Sequence, residues 1–263
     1  MRKLLSLLLA PVFVILLWLL PALSWATASV RQEQYTAWVA TAATTVTTPA
    51  LGSAVLVGDT EEAWVICSCT TAPTSVIDSA SQAFTLRASV NNNDTGVTIY
   101  LYTYANNASA TALTVTATWA TAQPYNGIWL KDITGVTSSS YQTSGGQSQG
   151  PPSPPGTGTG AISSGNVTPT SQPCLLSTIS WDSGGNASSV VAGSLVSGTT
   201  GWLLSGGTAP TTTSASVRLT STSAIAATFT NTTDGGSRDF VTMAAVYTEA
   251  AGGPHVNPIW VAL

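Results

Sequence analysis

Residues 96–107 read GVTIYLYTYANN, a stretch in which two kinds of side chain alternate. Aliphatic residues take turns with tyrosines: Val97, Ile99 and Leu101 against Tyr100, Tyr102 and Tyr104. A period of two places successive side chains on opposite faces of a β-strand, whereas a helical face repeats every 3.6 residues. The stretch therefore predicts a strand with one aliphatic face and one tyrosine face, which ends at the Asn106-Asn107 turn.

The same period of two recurs along the chain, most clearly in residues 113–119, LTVTATW, where apolar side chains alternate with threonine. Turn-forming clusters separate such segments, among them residues 93–96, NDTG, and 234–236, DGG. Many short alternating segments with regular turns are typical of sandwiches and barrels. The sequence therefore predicts an all-β fold, an antiparallel β-sandwich of the jelly-roll or immunoglobulin-like type.

The order of segments is similar in residues 35–136 and 161–250, which indicates two pseudo-repeated halves. Each half ends on its most continuously apolar segment, residues 127–130 in the first and 240–247 in the second. An unbroken apolar strand is buried on both faces, so we expect both segments in the centre of a sheet.

A segment rich in Pro, Gly and Ser, residues 137–160, lies between the halves and is expected to be a flexible linker. The favoured organisation is one β-sandwich domain over residues 27–263, with an apolar C-terminal tail at 251–263. Two small sandwiches joined by the linker are the alternative.

Residues 1–26 have the layout of a secretory signal peptide. Arg2 and Lys3 precede an apolar run, and small residues then occur at cleavage spacing in residues 24–28, SWATA. Because the apolar run is long, a retained N-terminal anchor is the alternative to cleavage. No later apolar run reaches about 18 residues, so no further membrane span is predicted. We expect a secreted protein that acts outside the cell or at its surface.

Loss of the leader would leave 5 Lys and Arg against 11 Asp and Glu, a net charge of −6. Nucleic-acid binding requires many cations to neutralise phosphates, so this charge argues against such a partner. Charged residues make up only 7% of the chain, and hydroxyl and amide side chains must provide its solubility.

The chain has three cysteines, Cys67, Cys69 and Cys174. In an oxidising compartment an odd number leaves one thiol free or paired with another chain. Cys67 and Cys69 on a straight strand would have Cα atoms about 6.5 Å apart, near the limit for a disulfide. We therefore expect one of them to pair with Cys174; three small buried apolar residues are the alternative.

The chain resembles a diffuse group of secreted bacterial and phage-associated β-sandwich proteins, most of them uncharacterised. Short motifs carry the resemblance: residues 76–84, VIDSASQAF; 99–102, IYLY; 113–116, LTVT; 128–136, IWLKDITGV; and 165–168, GNVT. The match as a whole covers most of residues 40 to 250. The resemblance implies a β-sandwich fold, and it implies no activity or site residue because the group has none in common.

Two sequence matches to hydrolases lack the context that catalysis needs. Residues 146–150, GQSQG, fit G-x-S-x-G but fall in the expected linker, and the single histidine, His255, lies in the tail. Asp94-Thr95-Gly96 and Asp182-Ser183-Gly184 resemble paired aspartic-protease motifs, but Asp94 sits in an asparagine-rich hairpin turn. We therefore predict a protein that is not an enzyme.

Acidic residues cluster at Asp59, Glu61 and Glu62, which we interpret as a turn between strands. With Asp78 or Asp94 they offer carboxylate oxygens of the type that Ca²⁺ prefers. A solvated turn is the favoured interpretation, so no metal or other cofactor is predicted and Ca²⁺ is the alternative. One histidine and scattered cysteines make a zinc site improbable.

Two interpretations remain for Tyr100, Tyr102 and Tyr104. An exposed aromatic stripe can stack on sugar rings, whereas tyrosines in strands also pack against cross-strand neighbours, which is the favoured interpretation. The predicted function is a secreted, non-catalytic binding or surface module for polysaccharide or the cell envelope. The alternative is a structural subunit of a fibre, surface layer or phage appendage that self-assembles through strand edges or through residues 259–263, IWVAL.

Overall fold

The computed structural model describes residues 27–36, 41–93, 95–105, 109–149, 161–182, 190–192, 203–206, 211–231 and 240–251. Within these ranges the chain forms sixteen β-strands and no helix, and every strand pair is antiparallel. The all-β prediction is confirmed. The expected leader at 1–26, and the expected tail beyond residue 251, lie outside the described residues.

The first eight strands are β1 Ser29–Tyr35, β2 Ala43–Thr47, β3 Thr60–Ser68, β4 Ser75–Asp78, β5 Thr85–Asn91, β6 Val97–Ala105, β7 Val115–Gln123 and β8 Asn126–Thr134. The next eight are β9 Val136–Gln149, β10 Ala161–Ser163, β11 Cys174–Asp182, β12 Val190–Ala192, β13 Leu203–Gly206, β14 Thr211–Leu219, β15 Thr228–Asn231 and β16 Phe240–Glu249.

These strands form four sheets. Strands β1–β8 give a five-stranded sheet ordered β1-β8-β3-β6-β5, called inner sheet 1, and a three-stranded sheet ordered β2-β7-β4, called outer sheet 1. Strands β9–β16 give inner sheet 2, ordered β13-β14-β11-β16-β9, and outer sheet 2, ordered β10-β15-β12. Adding eight to each strand number of the first pair reproduces the neighbours in the second pair.

Among the described residues, three apolar layers hold the sheets together. The first lies between inner sheet 1 and outer sheet 1, where Val65 and Ile128 join Val46 and Val115. The second joins the two inner sheets through residues that include Trp64, Ile99, Trp129, Ile179, Val241 and Tyr247. The third covers the other side of inner sheet 2. The central strands of inner sheet 1 are therefore buried on both faces.

Strands β8 and β16 were expected to be central and buried on both faces, and this prediction is confirmed. Strand β8 lies between β1 and β3, and β16 lies between β11 and β9. Every residue of both strands is buried except at the C-terminal end. The apolar runs within them, residues 127–130 and 240–247, follow from contact with a second layer on each side.

The connection between the two runs of eight strands differs from the expected linker. Only Gly135 separates β8 from β9, and its φ of 73° is one that residues with a side chain rarely adopt. A Cβ at this position would lie 2.6 Å from the carbonyl oxygen of Thr27. The chain therefore passes from one inner sheet to the other through a single glycine.

Residues 137–149 of the expected linker belong to β9, an edge strand that pairs with β16. Glycine suits this strand because a Cβ at Gly146 would lie 2.2 Å from Cγ2 of Val90 on β5. Residues 150–160 lie outside the described residues. In the described part of the chain, no helix has the length and hydropathy needed to cross a membrane.

Candidate functional site

The tyrosine stripe of β6 is part of the first apolar layer and not an exposed ligand-binding face. Tyr100 and Tyr102 are each 4% exposed and contact the side chains of outer sheet 1. Tyr104, half-buried at the strand end, donates a hydrogen bond to Oε1 of Gln82 at 2.8 Å. Burial raises the pKa of Tyr102 to about 12, with a smaller contribution from Tyr100. Tyr100 and Tyr102 are therefore packed between sheets, and the three tyrosines do not form an exposed aromatic stripe.

The expected pairing of Cys67 or Cys69 with Cys174 is also wrong. Cys67 and Cys69 form a disulfide with Cα atoms 5.2 Å apart, because β3 ends at Ser68 and the chain bends there. Cys174 is a buried thiol whose pKa is raised to about 11, mainly by burial. It lies in the third apolar layer and Cys67 in the first, so both inner sheets separate them.

The most unusual group of side chains is an acidic cluster formed by Asp59, Glu61, Asp78 and Asp132. Glu61 on β3 pairs in register with Asp132 on β8, so both carboxylates lie on the same face of inner sheet 1. That face is the one that contacts outer sheet 1, because Ala63 and Leu130, two positions away, belong to the first layer. Asp59 precedes β3, and Asp78 ends β4. All four residues are buried.

Arg31 is the cation of this cluster. Its Nη2 donates to Oδ2 of Asp59 at 3.0 Å, to Oδ2 of Asp132, and to the carbonyl oxygen of Ala54 at 2.6 Å. Gln32 donates a second hydrogen bond to Oδ2 of Asp132, at 2.8 Å. Both side chains come from β1, the edge strand beside β8. Strand β1 thus supplies the side chains that neutralise part of the buried charge.

Several carboxylate oxygens of the cluster have no hydrogen-bond partner. They are Oδ1 of Asp59, Oδ1 of Asp132, and both Oε1 and Oε2 of Glu61. Glu61 has no exposed surface, so bulk water does not supply the missing hydrogen bonds to its carboxyl group. Buried polar groups are nearly always paired, and an unpaired buried carboxylate is strongly unfavourable.

The electrostatics of the cluster reflect this imbalance. Burial, followed by the negative charges of Asp78, Asp132 and Asp59, raises the pKa of Glu61 from about 4.5 to about 8. Burial also raises the pKa of Asp132 to about 6, against the opposing effects of Gln32 and Arg31. Glu61 therefore holds a proton at neutral pH as long as no other cation is bound.

Carboxyl groups whose pKa values are driven apart also serve as acid and base in glycosidases. Glu61 and Asp132 have no exposed surface, however, so a polymeric substrate cannot reach either of them in this arrangement. The G-x-S-x-G match is no better placed for catalysis. Residues 146–149 lie in strand β9 and not at a strand-to-helix turn, while Gly150 and His255 lie outside the described residues.

Sequence reasoning found three members of the acidic cluster and missed two other participants. Asp59, Glu61 and Asp78 lie near enough for their charges to interact, and the expected solvated turn is wrong because β3 begins at Thr60 and its side chains are buried. Asp132 and Arg31 were missed. A signal for Asp132 was present, since it and Lys131 interrupt the otherwise apolar segment at 128–133, IWLKDI. Asp94 lies outside the described residues.

Glu62 belongs to a different site, the buried polar network between the inner sheets. It is adjacent to Glu61 on a strand, so its side chain points to the opposite face. Lys131 Nζ lies 3.6 Å from Oε2 of Glu62, and both side chains are fully buried. Ser177 and Tyr247 of inner sheet 2 donate hydrogen bonds of 2.6 Å to the two carboxylate oxygens. Lys131 in turn donates to Ser177 Oγ at 2.7 Å and to the Thr178 carbonyl at 3.1 Å.

The two buried sites therefore differ in completeness. Glu62 has a hydrogen bond to each carboxylate oxygen and a lysine beside it. Glu61 has neither. As the side chains stand, no group of three His, Cys, Asp or Glu in the described residues has a geometry that holds a metal ion.

Comparisons of the chain with models of protein families, with curated proteins and with solved structures find no match.

Proposed function

We propose that the protein is a secreted, non-catalytic β-sandwich module that binds a neutral polysaccharide through the outer face of outer sheet 1. The leader-like residues 1–26 support secretion, and the Cys67–Cys69 disulfide fits an oxidising compartment. Because Tyr100 and Tyr102 are buried, the proposed binding surface is not the tyrosine stripe.

The observation that carries the proposal is the composition and register of this face. Thr45, Thr118 and Ser75 lie side by side across β2, β7 and β4, and the next row holds Thr47, Thr116 and Ile77. These side chains point away from the first apolar layer because their neighbours Val46, Ala117 and Val76 belong to it. No charged side chain points outward from these three strands. Rows of hydroxyl groups without charge suit a neutral polymer that carries hydroxyl groups itself.

The architecture that supports this face is proposed to be a pair of jelly rolls. The pairs β1-β8, β2-β7 and β3-β6 are those of a long hairpin that has rolled up into two sheets, as in an eight-stranded jelly roll. Strands β9-β16, β10-β15 and β11-β14 pair in the same way. Two pseudo-repeated halves of eight strands each account for this correspondence.

Retention on insoluble neutral polysaccharides tests the proposal. Cellulose and chitin are incubated with the purified mature chain, and the bound fraction is measured after washing. The double variant Thr45→Glu, Thr47→Glu places two charges on exposed positions of the face and is expected to lower retention at least tenfold. The matched variant Ser89→Glu, exposed on β5, should retain binding. If the unchanged protein is not retained, or if the double variant binds equally well, the proposal fails.

A structural subunit is the second candidate, favoured by an exposed aliphatic side chain on an edge strand. Leu86 on β5, an edge strand of inner sheet 1, is 45% exposed. Edge strands with apolar side chains are prone to pair with other chains. Light scattering should then find multimers that become monomers in Leu86→Lys, and a monomeric unchanged protein would exclude this role. Residues 259–263, the other expected contact, lie outside the described residues.

A further inference from the structure

The acidic cluster has more buried negative charge than its surroundings neutralise. Four carboxyl groups, Asp59, Glu61, Asp78 and Asp132, influence one another, and Arg31 forms ion pairs with two of them, Asp59 and Asp132. Backbone amides of Ala80 and Gln82 donate to Oδ1 of Asp78, so one guanidinium is the cation next to the other three carboxyl groups. Buried charges in proteins are paired or coordinate metals.

The arrangement of the unpartnered oxygens points to the place of a second cation. Arg31 contacts Oδ2 of Asp59 and Oδ2 of Asp132, so the Oδ1 atom of each residue is left over. Both oxygens of Glu61, which is fully buried next to Asp132, are left over as well. Three carboxylates from two neighbouring strands and one adjoining turn thus present four oxygens that Arg31 does not use.

We propose that the acidic cluster is a Ca²⁺ site in which Asp59, Glu61 and Asp132 are the carboxylate ligands. The donors are all oxygen atoms, the type that Ca²⁺ and not zinc prefers. Ca²⁺ accepts six to eight oxygen ligands in flexible geometry, including a bidentate carboxylate such as Glu61, whereas Mg²⁺ demands a near-ideal octahedron. Binding draws the three side chains inward from their present positions, which do not yet form a metal-holding group.

The cover of the site is consistent with exchange of an ion with solvent. Arg31 is 26% exposed, and Gln32 bonds at the surface to the backbone of Ser53 in both directions. Both side chains also donate to the buried Oδ2 of Asp132, so they reach from that carboxylate to the surface. The Ca²⁺ site does not depend on polysaccharide binding, although the choice of an extracellular ion agrees with the proposed secretion.

Calorimetric titration of the EDTA-treated chain with CaCl₂ tests the site, with MgCl₂ as the comparison ion. We expect about one Ca²⁺ per chain, in the range of about 10⁻⁴ to 10⁻³ M that is common for extracellular modules, and weaker Mg²⁺ binding. At a hundred times the Kd, Ca²⁺ favours the folded state by a factor of about 100, so Tm should rise by about 5 °C or more.

Three variants locate the binding. Glu61→Gln has the shape of the protonated side chain, and we expect it to fold and to lose the Ca²⁺ response; Asp132→Asn should lose it too. Glu249→Gln, which alters an ion pair with the partly exposed Arg218, should keep the response in full. Absence of binding heat and of a Tm shift in the unchanged protein at 10 mM Ca²⁺, a concentration about 10 times the upper end of that range, overturns the site. An undiminished response in both Glu61→Gln and Asp132→Asn does so as well. Polysaccharide retention is a separate measurement, so either proposal can fail alone.

Discussion

Replacement of Lys131 by Met should destabilise the protein through the buried network between the inner sheets. Met is close to Lys in length and lacks its charge, so the change removes the cation while the packing volume is largely kept. Glu62 would retain the hydrogen bonds from Ser177 and Tyr247, each of 2.6 Å. Its negative charge would then be buried without a positive partner.

The expected cost follows from the completeness of this burial. Both Lys131 and Glu62 have no exposed side-chain surface, so water cannot screen the charge that remains. Removal of one partner from a buried ion pair typically costs about 3–5 kcal/mol. The second change Glu62→Gln removes the remaining charge and keeps the amide within reach of Ser177 and Tyr247. We therefore expect the double variant to recover about 2 kcal/mol relative to Lys131→Met.

Urea unfolding of all four proteins of this double-mutant cycle gives the coupling energy. Tryptophan provides the fluorescence signal. The ring centroid of one tryptophan, Trp64, lies 5.8 Å from Lys131 Nζ. Equal slopes of free energy against urea are needed for the comparison. If the cost of the double change equals the sum of the single costs, the two residues are not coupled and the reasoning about the network is refuted.

Three further predictions concern other buried groups. In EDTA, the free energy of unfolding should fall as pH rises from about 4.5 to about 8, because the folded protein keeps the Glu61 proton with a pKa of about 8 while the unfolded chain loses it near 4.5. Urea unfolding across this pH range should give a flatter dependence of the free energy on pH for Glu61→Gln than for the unchanged protein. An equal dependence in both proteins would contradict the assignment. Tyr102→Ala should lower the free energy of unfolding by about 3–5 kcal/mol, because a large core side chain is lost, and a change below about 1 kcal/mol would contradict its burial. Thiol titration without reductant should find no reactive group in the folded protein and one, Cys174, after unfolding; peptide mapping that joins Cys174 to Cys67 or Cys69 would contradict the observed disulfide.

The strands of the fold could be read from local sequence, but the layers that cover them could not. Alternation in residues 97–104 located β6, and continuous apolar character located β8 and β16 as central strands. Tyr100 and Tyr102 have the amphipathic character of surface residues, so their sequence does not tell whether another sheet covers them. The cover comes from β7, which pairs with β2 and β4 in a different sheet.

Only part of the acidic cluster could be predicted from the sequence, because some members are neighbours along the chain and others come together only through strand pairing. Asp59 and Glu61 are close in sequence, so composition alone drew attention to them. Asp132 lies opposite Glu61 only through the β3-β8 register, and Arg31 reaches it only through the β1-β8 pairing. Such register depends on contacts between distant segments. The separation of Glu61 from Glu62 requires knowing that β3 begins at Thr60, which places the two side chains on opposite faces.

The single-residue joint at Gly135 has a mechanical consequence for the molecule. Tension applied to strands β1–β8 passes directly to strands β9–β16, since the joint contains no further residues that could extend first. The halves also share the layer between the inner sheets, so neither can swivel about the joint while that layer is intact. A stretched molecule should therefore load the strands on both sides of Gly135 at the same time.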